Sequence, residues 1–556
     1  MGPPALRALA PALVYLGLGI VSTWPTAARL GDAVPGGART DVWDSLWSLW
    51  FVQRALGRGE LPWRVDLLGW PEGGVLFVAD PLNALIAAPL IAAFGLSVGY
   101  SLLILGHSLF AGLAAHALGR RIFGVEAAAY VVGVAWALAP VQRAAVENGA
   151  SEAIAGGWLP LAALLALIAA EEGGARRVIF AGLALFFAAA ASWYSGLAAW
   201  MIWAGILLLG RPGAPWRQTA GRLLAVAALA LALTAPLAYV TRLGVSHKDN
   251  LVGIKDVREL LTVRRTVGPA DPRGWFIPGD FRSPDFRELS RYAEGFIHCH
   301  YLGWSLIFAA AFGLYDARRR GERGLGLWAL VGLGGGVLAM GPVVVMDGQP
   351  WILDRRLAVP LPYFLLEGAP GFSGLSLLYR LGMLPALGLA VLAGSAVARR
   401  PNLAPGLAAL VAVELLWLSP MRGLPSMTPT VAEAPIQWLA EAPDGAVMNF
   451  PVVGGRGYLF EQTVHGKPVA ASLNFPNNEA SRRVWSAAIK AAADKQPAEA
   501  VRRKVGEAAR RQKIRYLVVH HDADARPDMH DDAVRAIAGA FTVAAESPAV
   551  QVYALW

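Results

Sequence analysis

Long apolar segments recur along most of this chain and limit its fold more than any other feature. About eleven segments are apolar over close to the roughly 20 residues that a helix needs to cross a bilayer. They are 6–25, 97–118, 125–143, 154–171, 177–192, 194–210, 220–240, 301–316, 324–346, 375–397 and 403–419. Only 16% of the residues are charged and the mean hydropathy is +0.46, whereas soluble domains carry about a quarter charged residues. The sequence therefore predicts an α-helical polytopic membrane protein.

Three apolar segments leave alternatives open. Residues 177–210 fit either two short spans or one broken span. Residues 81–95 are too short to cross a bilayer, which favours a re-entrant or interfacial segment. The run that begins at Met1 resembles a signal peptide, but no small-residue cleavage site follows it, so we interpret it as a retained first span.

Arginines fall on alternate connections between the spans and predict the topology. Short arginine-rich loops stay in the cytoplasm, so the amino terminus is expected inside and the first outer loop, 26–96, outside. The same loops account for the net charge of +9, so no nucleic-acid partner is expected. The arginines concerned are Arg120, Arg121, Arg176, Arg177, Arg211, Arg217, Arg222, Arg318, Arg319, Arg320, Arg323, Arg399 and Arg400.

The end of the chain has the character of a water-exposed domain. GAVMNFPVV and IRYLVVHH predict short strands, 480–512 predicts helices, and FTVAAESPAVQVYALW predicts a hairpin. The arginine pattern places this segment outside the membrane. We therefore divide the chain into a transmembrane domain, 1–419, and a small extracytoplasmic α/β domain, 420–556.

The stretch TDVWDSLWSLWF in the first outer loop combines three tryptophans with two aspartates. On a helix, Asp41 and Asp44 share one face with two serines, and apolar residues fill the rest. The pattern predicts an amphipathic helix that lies flat in the membrane interface with its Trp face down, capped by Thr40. Asp41 and Asp44 then either only stabilise the helix start or form a functional acid pair.

A series of short sequences, in order, favours the functional interpretation. They are LLGWPEGGVLFVADPLNALIAAPLIAAFG, VENGASEAIAGGWLPL, ASWYSG, PGFSGLSLLYRLGMLPALGLAVLAG and GYLFEQTVHGKPVAASLNFP. This succession resembles bacterial multi-spanning membrane proteins of the GT-C glycosyltransferase superfamily, which are similar to protein O-mannosyltransferases, lipid A aminoarabinose transferases and YfhO-type proteins. The resemblance covers nearly the whole chain. It implies a GT-C-like fold of about eleven transmembrane helices, with amphipathic helices in the first outer loop, in a bacterial inner membrane.

The resemblance also implies roles for particular residues. An acidic residue in the first outer loop of such proteins acts as the catalytic base, which corresponds to Asp41, with Asp44 as the second acid. Arg380 matches one of two arginines in a proline-rich motif, and Ser376 stands at the position of the other. We expect Arg380 to bind the donor phosphate, with snorkelling to the lipid headgroups as the alternative.

Further polar residues are expected on the same side of the membrane. Glu147 and Glu152 flank the turn ENGASE, and they either bind an acceptor or a cation or are simply solvated. His300 and His465 are candidates for contact with the donor or the acceptor, and a buried turn is the alternative for His465. We expect Asp41, Arg380 and Glu147 to line one outward-facing cavity.

Metal-binding patterns are weak in this sequence. Cys299 is the one cysteine, which excludes an intramolecular disulfide and a cysteine-based zinc site. His298 and His300 are two residues apart and would point in opposite directions on a helix. His520, His521, Asp522, His530 and Asp531 form the densest group but lack the spacing of a zinc motif. We therefore assign no residue as a metal ligand, and a divalent cation stays a candidate cofactor.

The expected reaction is the transfer of a sugar from a polyprenyl-phosphate-linked donor to a glycan, lipid or protein acceptor on the periplasmic face. No phosphate-binding loop for a nucleotide occurs in the sequence. Two alternatives stay open: a lipid-carrier transporter that uses the same cavity without chemistry, and an assembly partner of an envelope polysaccharide system. A transport path would place charges in the middle of the spans, whereas these spans are nearly free of charge.

Overall fold

The computed structural model describes most of the chain, and every predicted span coincides with a helix. The described residues are 4–76, 81–209, 215–247, 249–251, 257–278, 298–322, 324–353, 357–369, 371–419, 424–451, 456–474, 476–521 and 530–556. The helices at the predicted spans are Pro4–Ser22, Leu96–Phe123, Glu126–Ala137, Pro140–Glu147, Trp158–Glu172, Ala175–Ala191, Trp193–Leu209, Trp216–Ser246, Trp304–Arg319, Gly326–Ala339, Met383–Ala398 and Ala404–Leu418.

The lengths of these helices fit a multi-pass membrane protein. Within the described ranges, five helical segments are long and apolar enough to cross a membrane, and four shorter helices are also apolar. The five are Leu96–Phe123, Glu126–Glu147, Trp216–Ser246, Leu378–Ala398 and Pro401–Leu418. The prediction of a helical polytopic membrane protein is confirmed.

Two of the open segments take a definite form. The segment 177–210 is two helices, because Ser192 adopts an extended backbone (φ −160°, ψ 134°) between Ala191 and Trp193. Residues 81–95 form the helix Pro81–Phe94, which is about 21 Å long. It is too short to cross a bilayer core of about 30 Å, and it packs against the helix Val42–Gly57.

The predicted arginine-rich connections are held together by ion pairs at one end of the helices. Arg121 binds Glu171 and Glu172, at 2.5 and 2.7 Å, and Arg177 binds Glu172 at 2.9 Å. The helix Leu96–Phe123 has its basic residues in its last turn, and at 28 residues it spans about 42 Å. Its first turns instead belong to the same apolar cluster as residues of the carboxy-terminal part of the chain. We call that opposite end the domain face.

The carboxy-terminal part is a small α/β domain with one mixed sheet. Its strands lie in the order Val543–Glu546, Val550–Ala554, Ile514–His520 and Ala446–Phe450. Only the last pair is parallel. The predicted strands and the terminal hairpin are therefore confirmed. Its helices are Ala434–Glu441, Gly457–His465, Glu479–Ala493, Ala498–Arg511 and Asp531–Ala540.

Short elements complete the described structure. Strand Ala33–Pro35 pairs with Met427–Pro429 and so joins the first loop to the start of the α/β domain. The other short strands and helices are Arg64–Val65, Gly74–Val75, Ser151–Ile154, Val257–Arg265, Val345–Met346, Gln349–Pro350, Ile352–Leu353, Leu357–Ala358 and Tyr363–Leu366. Short 3₁₀ turns lie at Thr26–Ala28, Pro272–Trp275, Leu378–Gly382 and Pro401–Leu403.

The helix Val42–Gly57 forms where predicted, but its tryptophans do not rest on lipid. Trp47 is fully buried, and its indole N–H donates to Gln462 Oε1 at 2.7 Å. Trp43 packs on Phe460 with ring centroids 5.5 Å apart. The prediction of a Trp face turned towards the membrane is wrong, because the α/β domain covers that face.

The predicted cap of this helix is also wrong. Thr40 Oγ1 donates to the Gly37 carbonyl at 2.7 Å instead of accepting from a helical N–H. Asp41 is the residue that precedes the first helical turn, and its side chain makes no capping hydrogen bond. Asp41 therefore has its carboxylate available for other contacts.

Trp47 ties the α/β domain to the membrane domain, and its replacement tests this attachment. Trp47→Phe removes the donor for Gln462 and leaves the buried Oε1 unpaired, which costs about 1–3 kcal/mol beyond the lost packing. We expect a clear fall in the thermal unfolding temperature of the purified protein in detergent. Trp50→Phe is the matched control, since Trp50 is partly exposed, and an equal effect of both changes would contradict the prediction.

Candidate active site

Two turns at the domain face are joined by backbone hydrogen bonds. Gly37 N–H donates to the Glu147 carbonyl at 2.9 Å, and Asp41 N–H donates to the Asn148 carbonyl at 3.0 Å. Ser45 Oγ donates to the Gly149 carbonyl at 2.6 Å. The start of the helix Val42–Gly57 is thus fixed on the turn that carries Glu152.

Gly149 makes this close approach possible. Its φ is +61°, and a Cβ added there would lie 2.5 Å from the backbone N and Cα of Val42. A side chain would therefore both strain the turn and push the helix start away.

Arg456 binds both aspartates of the helix. It lies directly before the helix Gly457–His465 of the α/β domain. Its Nη2 donates to Asp41 Oδ1 at 2.8 Å, and its Nη1 donates to Asp44 Oδ2. Sequence reasoning missed this residue, because nothing local in GGRGYLF indicates which part of the membrane domain it meets.

Asp44 lies in an environment that favours its protonated form. Burial raises the pKa of the Asp44 carboxyl well above its usual range; Arg456 opposes this, while the charges of Asp41 and Glu152 add to it. Asp44 Oδ1 is buried and accepts no hydrogen bond from a described residue. A carboxyl group with a raised pKa is a common feature of sites for proton transfer.

A second ion pair lies next to the first. Arg380 Nη1 donates to Glu152 Oε1 at 2.6 Å, and the guanidinium lies over the Tyr194 ring, 5.4 Å from its centroid. The hydroxyl of Tyr194 accepts from the backbone N–H groups of Ser376 and Leu377, so the ring is fixed under Arg380. We call Asp41, Asp44, Glu152, Arg380 and Arg456 the acid–arginine cluster.

Arg380 also lines a cavity in the membrane domain. In this structure the cavity has room for about one water molecule, and Arg380 Nε is buried without a hydrogen-bond partner in the described part of the chain. The polar residues that line the cavity are Gln142, Asn148, Ser192, Tyr194, Ser195, Tyr379 and Arg380. An anion that entered this cavity would lie beside Arg380.

The other predicted site residues lie outside the acid–arginine cluster. Glu147 binds the N–H and the hydroxyl of Ser426, both at 2.7 Å, and so anchors the start of the α/β domain. Of the three residues expected to line one cavity, only Arg380 is among those around this cavity. Asp41 and Glu147 instead lie on the two turns that are joined by backbone hydrogen bonds.

The predicted histidines are buried at two separate places. His300 Nε2 donates to the Asp271 carbonyl at 2.8 Å, and beside it His298 stacks on Tyr379 at 4.2 Å. His465 lies at the far end of its helix from Arg456, about 13 Å along the axis. Burial lowers the pKa of His465 to about 4, and its Nδ1 accepts from the Lys467 N–H.

The histidines of the α/β domain make separate contacts, and Asp522 of that predicted group lies outside the described residues. His520 binds Glu461 at 2.7 Å, while His530 packs on Trp485. Among the residues that the structure describes, no group of three His, Cys, Asp or Glu could hold a metal ion. Asp41 and Asp44 already bind Arg456, so the acid–arginine cluster as arranged does not fit a divalent cation.

Comparisons with known proteins identify the fold but no sequence family. No protein-family model matches the chain, and no curated protein matches its sequence. Its structure is similar to that of the arabinofuranosyltransferase AftD from Mycobacteria, with a TM-score of 0.56 and 17% identity. It is also similar to ArnT from Cupriavidus metallidurans bound to undecaprenyl phosphate, with a TM-score of 0.50 and 13% identity.

The protein has the GT-C fold. The similarity covers 99% of this chain and 41% of AftD, so the chain spans less than half the length of that relative. With ArnT it covers 100% of this chain and 99% of the other. The predicted GT-C-like architecture is confirmed, and identities this low show the fold alone.

The close contact between Gly149 and Val42 should make any larger residue at position 149 destabilising. Gly149→Ala should lower the stability by about 2–5 kcal/mol, because it combines a left-handed backbone with a clash against Val42. Gly106→Ala is the matched control, since a Cβ there meets nothing within 4 Å. Thermal unfolding in detergent measures both, and an unchanged unfolding temperature for Gly149→Ala would show that the turns are not joined in this way.

The ion pair between His520 and Glu461 predicts a pH dependence. Burial lowers the pKa of His520, but the charge of Glu461 and hydrogen bonds to Glu461 and the Phe450 carbonyl raise it to about 9. A raised pKa means that the stabilisation is complete below about pH 6.5 and is lost as the pH rises through 9. We expect a loss on the order of 2 kcal/mol.

Unfolding temperatures measured from pH 6 to pH 10 test this dependence. His520→Gln should remove the decline between pH 7 and pH 10, whereas His521→Gln, at an exposed neighbouring position, should keep it. A decline that persists unchanged in His520→Gln would assign it to another group.

Proposed function

We propose that the protein is a membrane glycosyltransferase that moves a sugar from a polyprenyl-phosphate-linked donor to a hydroxyl or amine acceptor. The observation that carries the proposal is the acid–arginine cluster, whose Arg380 lines a small cavity, at the domain face of a GT-C fold. ArnT, which has the same fold, is described as bound to undecaprenyl phosphate, and this supports a lipid-linked donor.

Asp41 is the proposed general base. One of its oxygens, Oδ1, accepts from Arg456, and about a third of its side chain is exposed, so its second oxygen can meet an acceptor. In the transfer, the acceptor proton moves to Asp41 while the acceptor oxygen or nitrogen bonds to the sugar C1. The bond between C1 and the phosphate oxygen breaks, and the polyprenyl phosphate keeps the electron pair.

Arg380 is the proposed partner of the departing phosphate. Arg380 lines the cavity, while Glu152 and Tyr194 fix the position of its guanidinium. A fixed donor stabilises charge that develops in the transition state without rearrangement. Asp44 shares Arg456 with Asp41, and we propose that it positions the base.

The topology supports an extracytoplasmic site. The arginine-rich connections lie at the opposite end from the domain face, and short basic loops favour the cytoplasm. We therefore propose that the domain face, the cluster and the α/β domain lie outside, at the periplasmic side of a bacterial inner membrane. Membrane lipids surround the helices, and the acceptor is a glycan, lipid or protein.

Sugar transfer by the purified protein tests this proposal. With polyprenyl-phosphate sugars and candidate acceptors, Asp41→Asn should lower the rate about 10²–10⁴-fold because the base is lost. Asp32→Asn is the matched control, an exposed aspartate of the same loop, and should keep the wild-type rate. Transfer by Asp41→Asn at the wild-type rate would refute the assignment of the base. No transfer by the wild type to any acceptor would favour a non-catalytic carrier or assembly protein.

A further inference from the structure

Asp41 and Asp44 are two neighbouring carboxylates of the kind that bind metal ions, but both are paired with Arg456. Arg456 donates one N–H to each carboxylate and is only 11% exposed. Divalent cations such as Mn²⁺ prefer carboxylate oxygens. A metal and Arg456 would therefore compete for Asp41 and Asp44.

The charge balance of the cluster explains why a cation is needed there. Three carboxylates, from Asp41, Asp44 and Glu152, lie close enough for their charges to act on one another. Buried carboxylates are costly unless they are paired. Arg380 and Arg456 offset two of the three charges when all three carboxyl groups are ionised, and among the described residues Arg456 is the ion-pair partner of Asp44.

Arg456 is held rigidly in this position by the α/β domain. The helix that follows it packs Phe460 on Trp43, and it places Gln462 between the Trp47 indole and the Leu67 carbonyl. Glu461, between these two residues, binds His520 of the central strand. The guanidinium is therefore fixed relative to the helix Val42–Gly57 before any substrate binds.

We propose that Arg456 is the resident cation of the aspartate pair, a positioning residue that orients Asp41 and Asp44 in the place of a divalent metal. The planar fork of a guanidinium can set two carboxylates at once, which the single charge of a lysine cannot. The membrane domain alone thus carries an incomplete site, and docking of the α/β domain completes it. The effect on catalysis rests on the proposed function, whereas the exclusion of metal does not.

Binding of Mn²⁺ tests the proposal without an activity assay. Electron paramagnetic resonance of the full-length protein in detergent at pH 8 counts the bound Mn²⁺. The wild type and Arg456→Lys, which keeps the charge, should bind no Mn²⁺ at the aspartates. Arg456→Gln should bind one Mn²⁺ at least tenfold more tightly than the wild type, and Arg456→Gln with Asp44→Asn should lose it.

The wild type alone can overturn the proposal if Arg456→Gln fails to fold. One Mn²⁺ bound to the wild type and lost in Asp41→Asn would show that metal displaces the arginine. A folded Arg456→Gln variant that binds no Mn²⁺ would show that the aspartates are not a cation site.

The transfer reaction gives a second measurement. The wild-type rate should stay within about twofold in the presence of EDTA, and Arg456→Lys should lose at least tenfold in kcat because the fork is lost. Inhibition by EDTA that Mn²⁺ reverses would overturn the proposal. If the wild type transfers no sugar at all, the proposed function fails, and the Mn²⁺ measurements still decide the role of Arg456.

Discussion

The contact of Arg456 with Asp41 and Asp44 is the interaction on which the arrangement of this protein depends. Asp44 is largely buried and Asp41 is partly exposed, and both bind one cation that comes from a different domain. The carboxylates therefore favour a docked α/β domain, and the docked domain in turn fixes the carboxylates. Trp47 and Gln462 add a buried hydrogen bond at the same interface, so apolar burial and charge act together.

The two arginines of the cluster have different roles in the proposed transfer. Arg456 holds the acids that would take a proton from the acceptor, while Arg380 faces the cavity that would hold the donor phosphate. Glu152 lies between the two functions, since it binds Arg380 and its charge raises the pKa of Asp44.

Much of the fold could be predicted from the sequence because a membrane helix is recognisable from its own run of apolar residues. A helix in lipid must satisfy its own backbone and present apolar side chains for about 20 residues, and all the predicted spans coincide with helices. The helix Val42–Gly57 was also predicted, but its tryptophans were expected to face the membrane. Tryptophans suit both a membrane interface and a protein interface, and only the position of Phe460 and Gln462 distinguishes the two.

The residue pattern alone indicated the helical membrane architecture, the α/β composition of the last part and the acidic character of the first loop. Asp41, Asp44 and Arg380 became candidates through the resemblance to GT-C proteins, and Glu152 through its place at an outer turn. Only the tertiary structure decided that Arg456 neutralises the aspartates, that Glu147 anchors the α/β domain, and that His465 lies away from the cluster. These contacts join residues separated by up to several hundred positions, such as Asp41 and Arg456, and they depend on how two domains pack rather than on any local pattern.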